Sequence, residues 1–194
     1  MTRKMDQQSI TIVSGLPRSG TSMMMKMLEA GGMQILTDNI RTADEDNPKG
    51  YYELEQVKQV EHDQSWLPDA HGKAVKMISA LLKHLPQGYT YKVIFMRRKM
   101  EEILASQKQM LVRRDEPTDA VSDEKLTELF RHHLRQITSW IDEQPNFEII
   151  YTSYNEILES PVEQVKRINQ FLGHTLDEKP MLGIVDRSLY RQRQ

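Results

Sequence analysis

Residues 9–22 read SITIVSGLPRSGTS, and this stretch decides how the rest of the chain is interpreted. Ser9 to Ser14 is a short run rich in β-branched residues that stops at Gly15. A tight loop follows, and the Met-rich stretch Ser22 to Ala30 then carries apolar residues at helical spacing before Gly31, a good C-terminal stop. The order of these patterns predicts a strand, a loop and a helix in direct succession.

The loop from Gly15 to Ser22 keeps the frame of a phosphate-binding loop, G-x-x-x-x-G-K-[ST], but Thr21 stands where the lysine belongs. Its glycines let backbone N–H groups and the helix N-terminus point at one anion, and Thr21 and Ser22 add hydroxyl donors. Without the lysine that spans the β- and γ-phosphates, transfer from a nucleoside triphosphate loses a central electrostatic component. Arg18 can supply that charge from within the loop, so the loop predicts an anion site rather than a helix-capping turn.

The remaining patterns alternate between strands and helices. Further strands are predicted at Ala74 to Met77, Tyr91 to Met96 and Phe147 to Tyr151. Helices are predicted at Ser22 to Ala30, after the second strand through His84, at Met100 to about Val112, at Ser122 to Glu143 and at Pro161 to Leu172. The inward face of the helix from Met100 is expected to carry Ile103, Leu104, Gln107 and Leu111. This order predicts an α/β three-layer sandwich with a mostly parallel central sheet, and residues 1–194 are expected to form one domain.

Composition excludes several classes of protein. A hydrophobic share of 38% is enough for a packed core. With 26 Lys and Arg against 28 Asp and Glu, no global positive field would recruit nucleic acid or an anionic membrane, so any anion site is local. No apolar run approaches the roughly 18 to 20 residues of a membrane span, and the N-terminus is polar, so a cytoplasmic location is expected. The absence of cysteine excludes disulfides, thiolate metal sites and a cysteine nucleophile.

A second basic position follows the third predicted strand. Arg98 lies just beyond that strand, and Ser106 lies eight residues later, about two helical turns away. Ligands of an open parallel sheet gather outside the carboxyl ends of its strands, so Arg98 and the loop are expected at one edge, where they suit a ligand with two separated phosphates. Arg97 is the alternative to Arg98, because strand alternation lets only one of them point along the ligand face.

Two motifs carry a resemblance to a known family. PRSGTS at 17–22 resembles the 5'-phosphosulfate loop, P-[KR]-S-G-T-[ST], of the sulfotransferases, and IFMRRKMEEILAS at 94–106 matches their Arg and Ser eight residues apart, although Lys99 and Met100 replace the usual [ND]-Pro. NPKGYYE at 47–53 and the stretch at 151–173 are similar to further elements of bacterial members. The resemblance therefore touches nearly the whole chain.

This resemblance implies a fold like that of P-loop nucleotide kinases. It also implies transfer of a sulfuryl group from 3'-phosphoadenosine 5'-phosphosulfate (PAPS) to a hydroxyl or amine of a small acceptor by in-line displacement, with 3',5'-ADP as product and no metal required. The 5'-phosphosulfate would be held by Pro17, Arg18, Ser19, Gly20, Thr21 and Ser22, and the 3'-phosphate by Arg98 and Ser106. Arg18 would act electrostatically, since a guanidinium is no general acid at ordinary pH. Lys76 is the candidate stabiliser of the transition state, although the family's Asp-Pro after this lysine is Met77-Ile78 here.

The general base is left open. Glu53 is preferred because NPKGYYE resembles a family element that borders the acceptor site, and the alternatives are Glu45, Asp46 and His71. At the C-terminus the resemblance suggests that Arg187 or Arg191 closes over the 3'-phosphate and adenine, whereas a basic tail without a ligand is the plain alternative.

Other functions and partners compete with this interpretation. A nucleotide kinase of the same fold is disfavoured by Thr21 and by the lack of a strand-ending aspartate for Mg²⁺, and a non-catalytic nucleotide-binding protein is the third hypothesis. The acceptor pocket is expected between the acidic segment 38–53 and the helical region 117–144. A chain this short has little room for an acceptor lid, so a second copy in a homodimer could complete the pocket.

Overall fold

In the part of the chain that the structure describes, four parallel strands form the sheet that positions the candidate residues. The computed structural model describes residues 9–38, 40, 50–118 and 120–185. The strands are β1 (Ile10–Gly15), β2 (Ala74–Lys76), β3 (Tyr91–Arg97) and β4 (Phe147–Ser153), in the order β2-β1-β3-β4. Every strand pair is parallel, as expected for strands separated by helical connections.

The central strands are buried on both faces. All six residues of β1 are buried, and five of the seven in β3 are, which explains why their sequences are mostly apolar. Alternation divides these side chains between two cores: Ile12 and Phe95 face one side of the sheet, and Val13 and Ile94 face the other. Both faces therefore need a covering layer.

Among the described residues, six helices and three short 3-10 segments provide those layers. The helices are α1 (Thr21–Ala30), α2 (Met100–Arg113), α3 (Asp123–Asp142), α4 (Tyr154–Glu159), α5 (Pro161–Phe171) and α6 (Glu178–Ile184). The core on the Phe95 side includes Ile137 and Ile141 of α3 with residues of the 3-10 segments, and the core on the Val13 side includes residues of α1, α4, α5 and α6. The predicted α/β fold, with a parallel sheet flanked by helices, is confirmed. None of the helices within the described ranges combines the length and apolar character needed to cross a membrane.

Several predicted boundaries and faces differ from the structure. The first strand lies one residue later than expected, and the segment ending at His84 is a 3-10 helix, Ser79–His84. Helices α4 and α6 were not predicted: α4 has only six residues, and α6 contains Pro180 and Gly183, which are poor helix formers. Tertiary packing compensates in α6, where Met181 is fully buried against Gly31.

The predicted inward face of α2 is only partly the buried face of the helix. Ile103 is buried, but Leu104, Gln107 and Leu111 are only partly buried, and the other buried residues of the helix are Glu102 and Ser106. Two of the three buried residues of α2 are polar because the helix begins just beyond the carboxyl end of β3, where polar groups of several elements meet.

The chain order creates a crevice between β1 and β3. These strands are neighbours, yet the chain leaves β1 towards β2 on one side and leaves β3 towards β4 on the other. Connections that diverge in this way open a crevice at the carboxyl ends of the two strands, which is where ligands of open α/β sheets bind.

A hydroxyl–imidazole contact joins α3 to the segment after β2. Ser79 Oγ lies 2.8 Å from His133 Nε2. Burial, together with the positive charge of Lys83, lowers the pKa of His133 below its usual value. A histidine whose pKa is lower in the folded state contributes to stability above its ordinary pKa of about 6.5. That contribution is lost as the pH falls from this value through the lower pKa of the folded state.

We therefore expect His133→Gln to flatten the acid limb of the stability profile. Gln retains a polar group for Ser79 but cannot take up a proton, so the fall in unfolding free energy between about pH 7.5 and 5.5 becomes smaller. Urea unfolding at the two pH values measures this difference. His132→Gln, at the exposed neighbouring position, is the control and should keep the wild-type slope. Identical slopes for all three proteins would contradict the assignment.

Candidate functional site

The loop after β1 turns through backbone conformations that favour glycine. Gly15 and Gly20 have φ angles of 149° and 99°, and Arg18 has a φ of 69°. A Cβ at Gly15 would lie 2.6 Å from the Met96 carbonyl oxygen and 2.6 Å from Ser19 Oγ. The glycine therefore allows the loop to press against the end of β3.

Gly20 brings the loop against the first residue of α4. A Cβ added at this position would lie 2.5 Å from Cδ2 of Tyr154. The same glycine precedes α1 and offers no side-chain hydrogen bond to the helix, whose first turn has no acidic residue. The N–H groups and the positive end of the α1 dipole are thus directed at the loop, as in anion sites.

Two hydroxyl groups near the carboxyl end of β1 suit the same kind of ligand. Ser14 and Ser19 are at most 1% exposed, and the structure gives their hydroxyl oxygens no hydrogen-bond partner among the described residues. Buried hydroxyl groups ordinarily have a partner. Ser19 Oγ and the backbone curve of the loop are consistent with a bound phosphate or sulfate group.

Arg98 extends from the end of β3 towards this loop. Its Nη1 donates a hydrogen bond to the carbonyl oxygen of Arg18 at 3.1 Å, and its Nε donates to Glu102 Oε2 at 2.8 Å. Its Cζ lies 4.5 Å from the ring centre of Tyr154. The Arg98 side chain is only 9% exposed, so three contacts fix a largely buried guanidinium beside the loop.

Arg97 lies elsewhere. It is exposed, and its Cζ lies 3.8 Å from the ring centre of Tyr151, a residue of β4 in the core on the Phe95 side of the sheet. The structure thus separates the two arginines in the way that strand alternation requires, and it brings Arg98 to the loop.

Arg18 connects the loop to α2. Its Nε donates a hydrogen bond to Ser106 Oγ at 2.9 Å, although the two residues are 88 positions apart in sequence. The sequence placed Arg18 and Ser106 in two different anion sites. The structure brings these two sites into direct contact, and Arg98 adds a second link by donating to the carbonyl oxygen of Arg18.

Lys76 and Glu53 form a second cluster at the same edge of the sheet. Lys76 ends β2, and its Nζ lies 3.3 Å from Glu53 Oε1 and donates to the carbonyl oxygen of Tyr51. Both ionic side chains are less than one-fifth exposed. The Glu53 carbonyl oxygen accepts from Thr37 Oγ1 at 2.7 Å, which ties this segment to the chain after α1.

The structure does not bring every predicted residue to the site. His71 precedes β2 and lies 5.3 Å, ring centre to ring centre, from Tyr89, which precedes β3, so it sits at the opposite, amino edge of the sheet. Pro17 is the exposed tip of the loop. Glu45, Asp46, Arg187 and Arg191 lie outside the described residues. Within the described ranges, no group of three or more His, Asp or Glu residues is arranged to hold a metal ion.

Three residues of the cluster around Arg98 were not identified from the sequence, namely Glu102, Tyr154 and Asn155. Tyr154 contacts both Gly20 and Arg98, and Asn155 donates from Nδ2 to Glu102 Oε1 at 2.8 Å. The four-residue spacing of Arg98 and Glu102 on a predicted helix start is the kind of signal that could have revealed that pair. No local pattern connects either residue to Asn155, since that contact depends on the pairing of β3 with β4.

The geometry agrees with a comparison against known families. A family model for the sulfotransferase domain matches residues 8–194. The chain belongs to the sulfotransferase domain family. The resemblance noted in the loop and in the Arg98–Ser106 segment is thereby confirmed at the level of the family.

Solved structures support the same fold for this sulfotransferase-family chain. Sulfotransferase STF1 from Mycobacterium tuberculosis H37Rv is 18% identical, with a TM-score of 0.60 over 91% of this chain and 70% of that one. Mouse sulfotransferase SULT7A1, solved in complex with PAP, is 18% identical, with a TM-score of 0.55 over 97% and 67%. The sulfotransferase domain of the Synechococcus PCC 7002 olefin synthase is 14% identical, with a TM-score of 0.54 over 100% and 87%. A search of curated proteins found no match.

The close approach at Gly20 generates a prediction for the sulfotransferase domain. Gly20→Ala should lower the free energy of unfolding by at least about 1 to 2 kcal/mol, because the new Cβ is disfavoured at this φ and meets the Tyr154 ring. Urea unfolding measures the loss. Gly88→Ala is the matched control, since a Cβ there meets nothing within 4 Å, and it should change stability by less than about 1 kcal/mol. Equal effects at both positions would contradict the role of Gly20.

Proposed function

We propose that this sulfotransferase domain transfers a sulfuryl group from PAPS to a hydroxyl or amine of a small acceptor. The observation that carries the proposal is the contact between the two candidate anion-binding elements: Arg18 of the loop bonds to Ser106, and Arg98 bonds to the backbone of Arg18. A ligand with two separated phosphate groups suits such a pair of sites. The PAP in the SULT7A1 structure is a nucleotide of this kind, namely 3',5'-ADP.

Each end of the donor has candidate partners in this chain. The 5'-phosphosulfate would lie against the backbone N–H groups and hydroxyl groups of Ser19 to Ser22, at the positive end of the α1 dipole. The 3'-phosphate would be held by Arg98 and Ser106, with the planar guanidinium of Arg98 offering paired donors. Arg187 and Arg191 remain candidates to close over this end.

The chemistry then requires charge stabilisation and a proton acceptor. As the acceptor oxygen or nitrogen forms its bond to sulfur, the bond from sulfur to the bridging oxygen breaks, and the electron pair stays with the 5'-phosphate. Arg18 and Lys76 are the candidate cations for stabilising that developing charge, a role that a metal ion fills in many phosphoryl transfers. The proton leaves the acceptor for a base, and the carboxylate of Glu53, 3.3 Å from Lys76, is the candidate within this cluster.

Nucleotide preference tests the proposed function against a kinase. In thermal unfolding, 3',5'-ADP should raise the melting temperature more than ATP with Mg²⁺ at the same concentration, because ligands that bind only the folded state stabilise it according to their affinity. Stronger stabilisation by ATP with Mg²⁺ would favour the kinase alternative and count against PAPS. Turnover of PAPS to 3',5'-ADP with a panel of phenol and amine acceptors then separates an enzyme from a nucleotide-binding protein without activity.

Substitution of the paired arginines tests the 3'-phosphate site. Arg98→Ala should weaken 3',5'-ADP binding by about 10- to 100-fold, the range expected when a charged hydrogen-bonding partner is lost, and should change 5'-AMP binding far less. Isothermal titration calorimetry measures both affinities. Arg97→Ala, one residue earlier and directed at Tyr151, is the control and should leave the two affinities close to wild type. Equal losses of both nucleotides in Arg98→Ala would refute the assigned contact.

A further inference from the structure

A buried carboxylate lies directly behind the proposed 3'-phosphate site. Glu102 is 4% exposed, and its Oε2 accepts from Arg98 Nε at 2.8 Å. A negative charge at this place repels a phosphate that approaches Arg98, and the repulsion is stronger in a partly buried site than in water. Burial of a carboxylate is also costly unless it is well paired. The presence of Glu102 therefore calls for a reason other than affinity for an anion.

Glu102 accepts hydrogen bonds from two side chains, and one of these donors is itself oriented by a backbone N–H group. Asn155 Nδ2, in the first turn of α4, donates to Glu102 Oε1 at 2.8 Å. The other end of the same amide, Asn155 Oδ1, accepts from the backbone N–H of Lys99 at 3.3 Å. Lys99 immediately precedes α2 and immediately follows Arg98. The backbone N–H of Lys99 thus fixes which way the Asn155 amide faces, and Asn155 together with Arg98 presents two donors to one carboxylate.

This arrangement leaves Arg98 little freedom. Its Nε donates to Glu102, its Nη1 donates to the carbonyl oxygen of Arg18, and its Cζ lies over the Tyr154 ring. A guanidinium held at three points loses less side-chain entropy when a ligand binds, because its orientation is already restricted. The cost of the nearby negative charge is then offset by a donor edge that is correctly aimed before the ligand arrives.

We propose that Glu102 and Asn155 are positioning residues for Arg98 and that they set the selectivity of this domain for nucleotides carrying a 3'-phosphate. The inference rests on the proposed function, since it assumes that Arg98 meets that phosphate. It extends the site to α4, which would take part in nucleotide recognition through Asn155.

The donor and acceptor order explains why position 102 needs a carboxylate. In Glu102→Gln, one of the two side-chain atoms becomes an NH₂ group, which meets either Arg98 Nε or Asn155 Nδ2, both of them donors. Rotation of the Asn155 amide relieves one conflict but turns its NH₂ group towards the N–H of Lys99. Asn155→Asp removes that last conflict, because a carboxylate at 155 accepts both from the new amide at position 102 and from the N–H of Lys99. The double variant restores the order of donors and acceptors with the negative charge moved from position 102 to position 155.

A double-mutant cycle with two nucleotides tests the proposal. Calorimetry should show that Glu102→Gln weakens 3',5'-ADP binding by about 10-fold or more while 5'-AMP binding changes by less than about 3-fold. Asn155→Asp alone places two carboxylates together and should also weaken 3',5'-ADP. The double variant Glu102→Gln with Asn155→Asp should recover most of the lost affinity, since residues in one network are not additive. Glu101→Gln, exposed and adjacent on α2, is the control and should match wild type.

Three results would overturn the inference. One is an equal loss of both nucleotides in Glu102→Gln, which indicates a general structural role. Another is a double variant that binds 3',5'-ADP no better than Glu102→Gln. If Glu102→Gln fails to fold, the affinity of the double variant for 3',5'-ADP is compared directly with that of wild type. The third contradicting result is a loss of this affinity as large as the loss in Arg98→Ala. A wild-type protein with no preference for 3',5'-ADP over 5'-AMP would instead contradict the proposed function itself.

Discussion

The contact between the loop after β1 and the carboxyl end of β3 is the constraint on which the rest of the site depends. Gly15 approaches the Met96 carbonyl oxygen so closely that a Cβ has no room, and Gly20 approaches the Tyr154 ring in the same way. These approaches allow the Arg18 carbonyl oxygen to meet Arg98 and the Arg18 side chain to meet Ser106. With a longer or bulkier loop, the two arginines would belong to separate surfaces rather than to one site.

Two of the cations in the site are each paired with a carboxylate. Arg98 has Glu102 beside it, and Lys76 has Glu53, so each of these largely buried cations has a carboxylate within 3.3 Å. Full burial of an unpaired cation would cost more than most single interactions supply, and the pairing lowers that cost. Arg18 adds one further guanidinium to these two pairs. We therefore expect an anion to meet aimed donors here rather than a strong positive field.

Much of this architecture could be predicted from residues 9–31 and from the apolar runs that follow. The order of strand, loop and helix could be predicted because Gly15 and Gly20 mark turns and the Met-rich stretch has a helical period. The residues that contact Arg98 could not be predicted from the sequence in this way. Asn155 meets Glu102 across 53 residues, through the register of β3 and β4, and no local preference encodes such a contact. The error over the buried face of α2 has the same origin, since a period analysis expects apolar residues inside and here Glu102 and Ser106 face inward.

The direct passage from β4 to α4 has a consequence for recombination within the family. β4 ends at Ser153 and α4 begins at Tyr154, so no residue intervenes, and Ser153 Oγ accepts the N–H of Glu156. One residue inserted at this junction would turn the following helix by about 100° about its axis. Tyr154 would then lose its contact with Gly20, and Asn155 would at the same time lose its contact with Glu102. The junction is therefore a poor crossover point for chimeras, whereas exchanges confined to the outer surface of α3 leave these contacts in register.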